Sequence, residues 1–226
     1  MSITKLDFAE PFFSLDYIEN EESYYIGEKS LVFNLARNEQ DTIKLDCERV
    51  ISSLKGAVIQ DMTIKCLTRA LIVKDFERTD IKNPATADKI MHTWKSLYEM
   101  SGIERHKGLP YYKSPKFKLG EGSNHMELNF CFVSQGGVPS GPHREHDRDF
   151  DEVHAQIAGC GMMRIYEYDN KERRHQELIM APGTVHDKMY DSQGRYPWHE
   201  YMSVTPCIYC PIELDRGNEN YNPKDL

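Results

Sequence analysis

From about residue 110 to the C-terminal region, short apolar segments alternate with polar positions at a period of two. Clusters of Gly, Pro, Asn and Asp separate them, which is typical of β-strands joined by turns. The segments are HMELNFCFV, DEVHAQIAG, MMRIYEYD, HQELIM and WHEYMSVTPCIYC. At least five closely spaced strands predict an antiparallel sandwich or barrel of the jelly-roll kind.

The pattern differs before residue 110. TIKLDCERVISSLKG is interpreted as a short helix ending at Gly56, and RALIVKDFE as a strand. In ATADKIMHTWKSLYEMSG, Ile90, Trp94 and Leu97 recur at helical spacing up to Gly102, which predicts a helix with a core-packing stripe. The first forty residues show no clean hydrophobic period, and we expect them to pack as several short, separate segments.

These patterns predict a mainly β protein with a mixed α/β N-terminal extension. Residues 1–110 would form the extension, with helices packing on a barrel, and residues 111–226 the barrel itself. The length of 226 residues suits one larger domain with such an extension.

Composition narrows the classes of partner. A formal net charge of -8 argues against a general nucleic-acid binder, which would carry a basic stripe. No apolar run approaches the length of a membrane helix, and MSITKLDFAEPFF lacks the basic start and apolar stretch of a signal peptide. We therefore expect a cytoplasmic protein that binds neither nucleic acid nor membrane.

The cysteines are expected to be free thiols, because they are too few for a disulfide scaffold at this length. They are Cys47, Cys66, Cys131, Cys160, Cys207 and Cys210. Cys207 and Cys210 form a CxxC pair, but residues three apart on a strand point to opposite faces, and no second CxxC completes a zinc site.

Histidines are concentrated in the β-rich half. Six of the nine lie within residues 143–199, whereas an even distribution over 226 residues would place about two there. They are His143, His146, His154, His175, His186 and His199. Imidazole and carboxylate together are the usual ligands of divalent transition metals, so this clustering indicates a metal site.

Alternation places Glu152, His154 and Gln156 on one face of DEVHAQIAG, and Val153, Ala155 and Ile157 on the other. If the apolar face packs against other elements, the polar face lines a cavity. The alternative is a solvent-exposed polar face, which is common in antiparallel sheets.

GVPSGPHREHDRDFDEVHAQIAG resembles the first signature of the cupin superfamily. Gly137 lies six positions before His143, and Glu152 lies seven before Gly159, as that signature has them. APGTVH resembles the second signature, in which a Pro/Gly turn delivers one histidine, here His186. The resemblance covers about residues 120–226 and implies a jelly-roll barrel that binds a metal ion.

The middle of the first motif departs from the family pattern. The paired histidines of the family are two apart, whereas His143 and His146 are three apart, Glu145 occupies the expected second position and Glu152 comes about two residues late. A bulge could let both histidines converge, or Glu145 could replace the second histidine. The preferred metal ligands are His143, His146, Glu152 and His186.

Other polar residues on these strands are candidates for catalysis. His154 could act as a base or orient a ligand. Arg164 and Tyr166 share a face of their segment and could hold a substrate carboxylate or transfer a proton. His199 could be an additional base or ligand, or could have a surface or packing role.

Three hypotheses follow from the resemblance. The first is an iron(II) dioxygenase acting on a small polar or aromatic molecule, because such a ligand set leaves positions for substrate and dioxygen. The second is a lyase, isomerase or epimerase that uses manganese, nickel or zinc as a Lewis acid. The third is a non-catalytic binding or storage protein. Similar cupins pair through edge strands, which implies a homodimer.

Overall fold

The computed structural model describes residues 2–46, 48–120, 125–144, 146 and 148–217. The described part of the chain is mainly β, as predicted, with antiparallel sheets and two α-helices. The strands before the helices are β1 Ser2–Leu6, β2 Ser14–Ile26, β3 Ser30–Asn34, β4 Ile43–Lys44, β5 Val50–Ile51, β6 Gly56–Ile59 and β7 Met62–Lys74.

These seven strands form one antiparallel sheet, which we call the N-terminal sheet, with the order β1-β2-β7-β3-β6; β4 is attached to β7, and β5 to β4. Leu15 and Tyr17 on β2 face one core, while Ile18 faces another. Because residues 15–18 are buried on both faces of the sheet, this part of β2 has no simple alternation of polar and apolar residues. For this reason the strand was not recognised in the sequence.

The helix predicted over TIKLDCERVISSLKG is wrong. Within the described part of this segment, β4 and β5 pair with each other, and β6 begins at Gly56. The carboxylate of Asp46 accepts hydrogen bonds from the backbone N–H groups of Glu48 and Arg49. Such a side-chain turn competes with helix formation, while Ile43 and Ile51 are buried in the N-terminal sheet.

The helix predicted before Gly102 is present as two helices, α1 Pro84–Thr93 and α2 Leu97–Ser101, with β8 Lys95–Ser96 between them. Asn83 caps α1, and Gly102 ends α2 in the left-handed conformation. Ile90, Trp94 and Leu97 are buried, as the predicted stripe requires. Among the described residues, no helix has the length and apolar character to cross a membrane.

The C-terminal strands are β9 Tyr111–Lys113, β10 Phe117–Leu119, β11 Met126–Leu128, β12 Cys131–Val133, β13 Phe150–Ala158, β14 Gly161–Tyr166, β15 Arg174–Met180, β16 His199–Ser203 and β17 Cys207–Asp215. One sheet has the order β10-β11-β17-β12-β9-β8, with β13 on β17, and the other has the order β15-β14-β16. Residues of both sheets share one core, including Cys131, Met163 and Tyr201. This arrangement is consistent with the predicted jelly roll.

The N-terminal sheet and the C-terminal strands share the largest core. Leu31 and Leu71 from the N-terminal sheet lie in the same cluster as Val153, Ala155 and Ile157 of β13. The apolar face of β13 is therefore covered, and its polar face points into the space between the two C-terminal sheets.

The five described cysteines are free thiols, and Cys47 lies outside the described residues. Cys207 and Cys210 face different cores, so they do not form a joint CxxC site.

Candidate metal centre

Three histidines meet inside the C-terminal β-structure. One potential ligand atom each from His143, His146 and His199 lies within 4.8 Å of those of the other two. His143 and His199 form a bridge in which each backbone N–H donates to the carbonyl of the other, both at 2.9 Å. Because directly opposed residues point to the same side, this pairing places the two rings 4.4 Å apart.

Backbone carbonyls orient two of these rings. Nδ1 of His143 lies 3.0 Å from the carbonyl oxygen of Gly141, and Nδ1 of His199 lies 3.2 Å from that of Pro197. A carbonyl can only accept, so each Nδ1 carries the proton and Nε2 keeps the lone pair. Metal-binding histidines are commonly held in this way.

Nε2 of His199 is buried and has no hydrogen-bond partner among the described residues. A buried polar atom without a partner is rare in a folded protein and requires an explanation. A bound metal ion would satisfy it.

His146 completes the group. Its ring is nearly parallel to that of His199, at 5.7 Å, and meets the rings of Phe150 and Tyr196 edge-on at 4.3 and 5.3 Å. These aromatic contacts fix the ring beside the other two histidines. Glu145, the alternative second ligand, lies outside the described residues.

Glu152 on β13 joins the histidine group through His199. Its Oε2 lies 3.5 Å from Nε2 of His199, and its Oε1 lies 3.1 Å from Nε2 of His154. The predicted face of Glu152, His154 and Gln156 is buried, because all nine residues of β13 are buried. The polar face therefore does not point to solvent.

Burial and neighbouring charges set the protonation of the site. Burial alone would raise the pKa of the Glu152 carboxyl, but the charge and hydrogen bond of His154, together with His199, hold it well below its usual range. Burial, reinforced by His199 and His146, lowers the pKa of His143 well below its ordinary value. These directions favour neutral imidazole at His143 and ionised carboxylate at Glu152, the forms that bind metals.

His186, the predicted fourth ligand, is placed differently. Its Nε2 accepts a hydrogen bond from the backbone N–H of His154 at 2.8 Å, and its Nδ1 lies 2.6 Å from the carbonyl oxygen of Asp187. Both ring nitrogens are therefore engaged with the backbone. The structure groups His143 and His146 with His199 and does not include His186.

Arg164 and Tyr166 lie on the face of β14 opposite to the histidines. Arg164 is paired with Glu200 on β16, whereas the adjacent Ile165 is paired with His199. Since successive residues point to opposite faces, the Arg164 side chain points away from His199. The Tyr166 hydroxyl donates to Glu200 at 2.5 Å, and Nη1 of Arg164 donates to the same oxygen at 3.1 Å.

His154 and Gln156 belong to a buried network that continues beyond the histidine group. The Tyr201 hydroxyl donates to Oε1 of Gln156 at 2.7 Å, and the rings of Tyr201 and Tyr209 are stacked at 3.8 Å. Nδ1 of His154 is buried without a hydrogen-bond partner among the described residues. Tyr201 was not among the predicted site residues, although it lies two positions after His199 on β16 and so shares its face.

No protein-family model and no curated protein sequence matches the chain. Similar solved structures include a cupin 2 conserved barrel domain protein from Leptotrichia buccalis. It is 13% identical, with 95% of this chain and 88% of that chain covered, at a TM-score of 0.34.

Two further similar structures are a lyase and a vicilin. The DMSP lyase DddQ from Ruegeria pomeroyi is 15% identical, with 57% of this chain and 58% of that chain covered, at a TM-score of 0.36. Vicilin from hazelnut, Corylus avellana, is 8% identical, with 96% and 84% covered, at 0.38. At these low TM-scores the structural similarities do not indicate an activity for this chain.

Proposed function

We propose that the chain is a metal-dependent enzyme of the cupin kind, in which His143, His146, His199 and Glu152 bind one divalent ion. The observation that carries the proposal is the convergence of three imidazoles within 4.8 Å, with the Glu152 carboxylate 3.5 Å from one of them. His199 takes the place that sequence analysis gave to His186. This substitution follows from the free lone pair of His199 and the engaged nitrogens of His186.

The donor set suits iron(II), manganese, nickel or zinc. Among these we propose iron(II) and a dioxygenase reaction on a small polar or aromatic molecule. When bound, iron(II) would supply open coordination positions for substrate and dioxygen.

The residues around the ion would hold its ligands in place. His154 donates from Nε2 to Oε1 of Glu152, which leaves Oε2 turned toward His199. The carbonyl groups of Gly141 and Pro197 would hold a proton on Nδ1 of His143 and His199, so that Nε2 of each ring would be the ligand atom. The aromatic rings of Phe150 and Tyr196 shield His146.

A lyase or isomerase is the second candidate function, and His154 is the observation that favours it. Its buried Nδ1 has no described hydrogen-bond partner, while its Nε2 is fixed by Glu152. An imidazole oriented in this way can take a proton from a bound substrate. In this reaction the metal would act as a Lewis acid, and no dioxygen would be consumed.

Purification without oxygen, followed by elemental analysis, tests the metal site. We expect about one transition-metal ion per chain. The iron-loaded protein is then screened with amino acids, keto acids, sugar acids and hydroxylated aromatics, while oxygen uptake is recorded. Turnover under argon with manganese, nickel or zinc would contradict the dioxygenase proposal and favour the lyase or isomerase. A purified protein that holds no metal ion would refute both proposals.

The homodimer implied by the resemblance remains a proposal. Size-exclusion chromatography with light scattering measures it directly, because a dimer has twice the mass of the 226-residue chain.

A further inference from the structure

A cavity of about 510 Å³ opens on the outer face of the sheet that β14, β15 and β16 form. The residues that line it are Pro142, Tyr166, Lys171, Glu172, Arg174 and Glu200. Because His199 and Glu200 are successive residues of β16, their side chains point to opposite faces of the sheet. The cavity therefore lies on the other side of β16 from the proposed metal centre.

Glu200 is the most buried residue of this lining. It is 3% exposed, and its Oε1 accepts hydrogen bonds from the Tyr166 hydroxyl at 2.5 Å and from Nη1 of Arg164 at 3.1 Å. A carboxylate can accept about four hydrogen bonds, so these two leave capacity for a ligand. The same two contacts fix the orientation of the carboxylate, which reduces the entropy that a ligand must remove on binding.

The other charged groups come from the connection between β14 and β15 and from the first residue of β15. Oδ1 of Asn170 accepts a hydrogen bond from the backbone N–H of Glu172 at 2.9 Å, and such a side-chain turn holds the connection in shape. Nζ of Lys171 lies 5.3 Å from the centre of the Trp198 ring, a distance at which cation and ring attract each other. This side of the cavity is therefore also ordered by contacts within the chain.

The lining is polar and balanced in charge. Small-molecule pockets are usually lined mainly by apolar side chains, whereas four of these six residues are charged, so the cavity suits a ligand that is polar over most of its surface. Lys171 and Arg174 would repel a cation, and Glu172 and Glu200 would repel an anion. The two positive and two negative groups offer hydrogen-bond donors and acceptors together.

We propose that this cavity binds an uncharged molecule with several hydroxyl groups, of the kind of a cyclic polyol or a small saccharide. Its hydroxyl groups donate to the carboxylates of Glu200 and Glu172 and accept from Lys171 and Arg174. A hydroxyl both donates and accepts, so one type of group satisfies both kinds of lining residue. The site does not depend on the proposed metal-dependent reaction.

The test compares probes that differ in the number of hydroxyl groups and in charge. The full chain is labelled with ¹⁵N and supplied with zinc as a diamagnetic ion, and amide shifts are followed by NMR. The probes are myo-inositol, D-glucose, cyclohexanol, glycine and inorganic phosphate. We expect saturable shifts at residues 166, 171, 172, 174 and 200 with at least one of the two polyols.

Cyclohexanol keeps a six-membered ring but has one hydroxyl group. It should bind at least about tenfold more weakly than the polyol, because the loss of one hydrogen bond to a charged group already has about this effect. Glycine, a zwitterion, and phosphate, an anion, should also bind more weakly at these residues.

Glu200→Gln tests the buried acceptor. It should weaken polyol binding at least about tenfold, because hydrogen bonds to an ionised acceptor are roughly twice as strong as those to a neutral one. Glu21→Gln is the matched control, because Glu21 is a buried carboxylate on β2, in the N-terminal sheet. It should leave the affinity unchanged.

Lys171→Ala changes an exposed residue and so leaves the core of the protein intact. It should weaken polyol binding about fivefold, the effect of one lost hydrogen bond. Lys65→Ala, at an exposed lysine of β7, is its control and should bind the polyol as the unmodified chain does.

Equal binding of cyclohexanol and the polyols would overturn the proposal, and so would the absence of saturable binding by both polyols. Shifts that map outside these residues, or tighter binding of glycine or phosphate within them, would do the same. The comparison of probes uses the unmodified chain, so it decides the question even if Glu200→Gln fails to fold.

Discussion

The N-terminal sheet and the C-terminal β-structure each enclose a buried interior, but the two interiors differ in polarity. The first encloses mainly isoleucine, with Asp16 among its few buried polar side chains. The second encloses histidine, glutamate, glutamine and tyrosine, among them Glu152, Gln156 and His199, which are all buried.

The physical consequence of this difference is a division of roles. Burial of apolar side chains stabilises a fold by about 25 cal/mol per Å², whereas burial of polar groups costs free energy unless each is paired. Both interiors have buried atoms without described partners, but in the C-terminal interior one of them, Nε2 of His199, belongs to a group of three imidazoles whose ligand atoms lie within 4.8 Å. We infer that the N-terminal sheet contributes stability and the C-terminal interior contributes chemistry.

The largest effect is expected when a proposed metal ligand is removed from the polar interior. His199→Ala should lower the metal content of the purified protein to below about a tenth of the unmodified value, because even outer contacts of a metal ligand change affinity 10- to 100-fold. Elemental analysis of folded protein measures this. His186→Ala is the control and should keep its metal, whereas the reverse result would restore His186 as the ligand.

A substitution that creates a cavity in the apolar interior should lower the free energy of unfolding without removing the metal. Ile72→Ala removes most of a fully buried side chain and should lower the free energy of unfolding by about 2 to 5 kcal/mol. Urea unfolding measures the change. Ile3→Ala is the control, because Ile3 is 45% exposed and should shift stability by less than about 0.5 kcal/mol. Loss of metal from folded Ile72→Ala would contradict the division of roles.

Lowering the pH should lower the stability of the folded protein, because the polar interior contains a buried histidine. Burial, followed by the charge of His154, lowers the pKa of His186 to about 3, below its ordinary value of 6.5. Between these values the unfolded chain binds a proton that the folded chain does not, so stability falls as pH decreases from about 6.5 toward 3.

One such histidine contributes up to about 1.4 kcal/mol per pH unit in this window. Urea unfolding of the metal-free protein at several pH values should show the slope, and His186→Gln should reduce it. An unchanged slope in that variant would mean that His186 does not titrate in this way.

The smallest effect is expected on the outer face of β14. Tyr166→Phe removes one hydrogen bond to Glu200, which Arg164 still contacts, and should cost about 1 kcal/mol without changing metal content. Thermal unfolding and elemental analysis measure the two quantities. A loss of metal would show that the outer face of β14 supports the metal centre.

The strands of the C-terminal half could be predicted because their alternation and their turn residues are local signals. β13, β14 and β15 follow the segments DEVHAQIAG, MMRIYEYD and HQELIM closely. The N-terminal sheet is harder to predict, since the first part of β2 is buried on both faces and the Asp46 turn interrupts a segment with a helix-like pattern.

By itself the sequence determined which side chains can bind a metal, and it placed Glu152 and His154 on one face of a strand. Tertiary structure decided which histidines meet. His143 reaches His199 through a bridge between positions 56 residues apart, while the backbone around β13 engages both nitrogens of His186. Pairings of this kind depend on strand register and loop path, which the fold as a whole sets and which no short segment encodes.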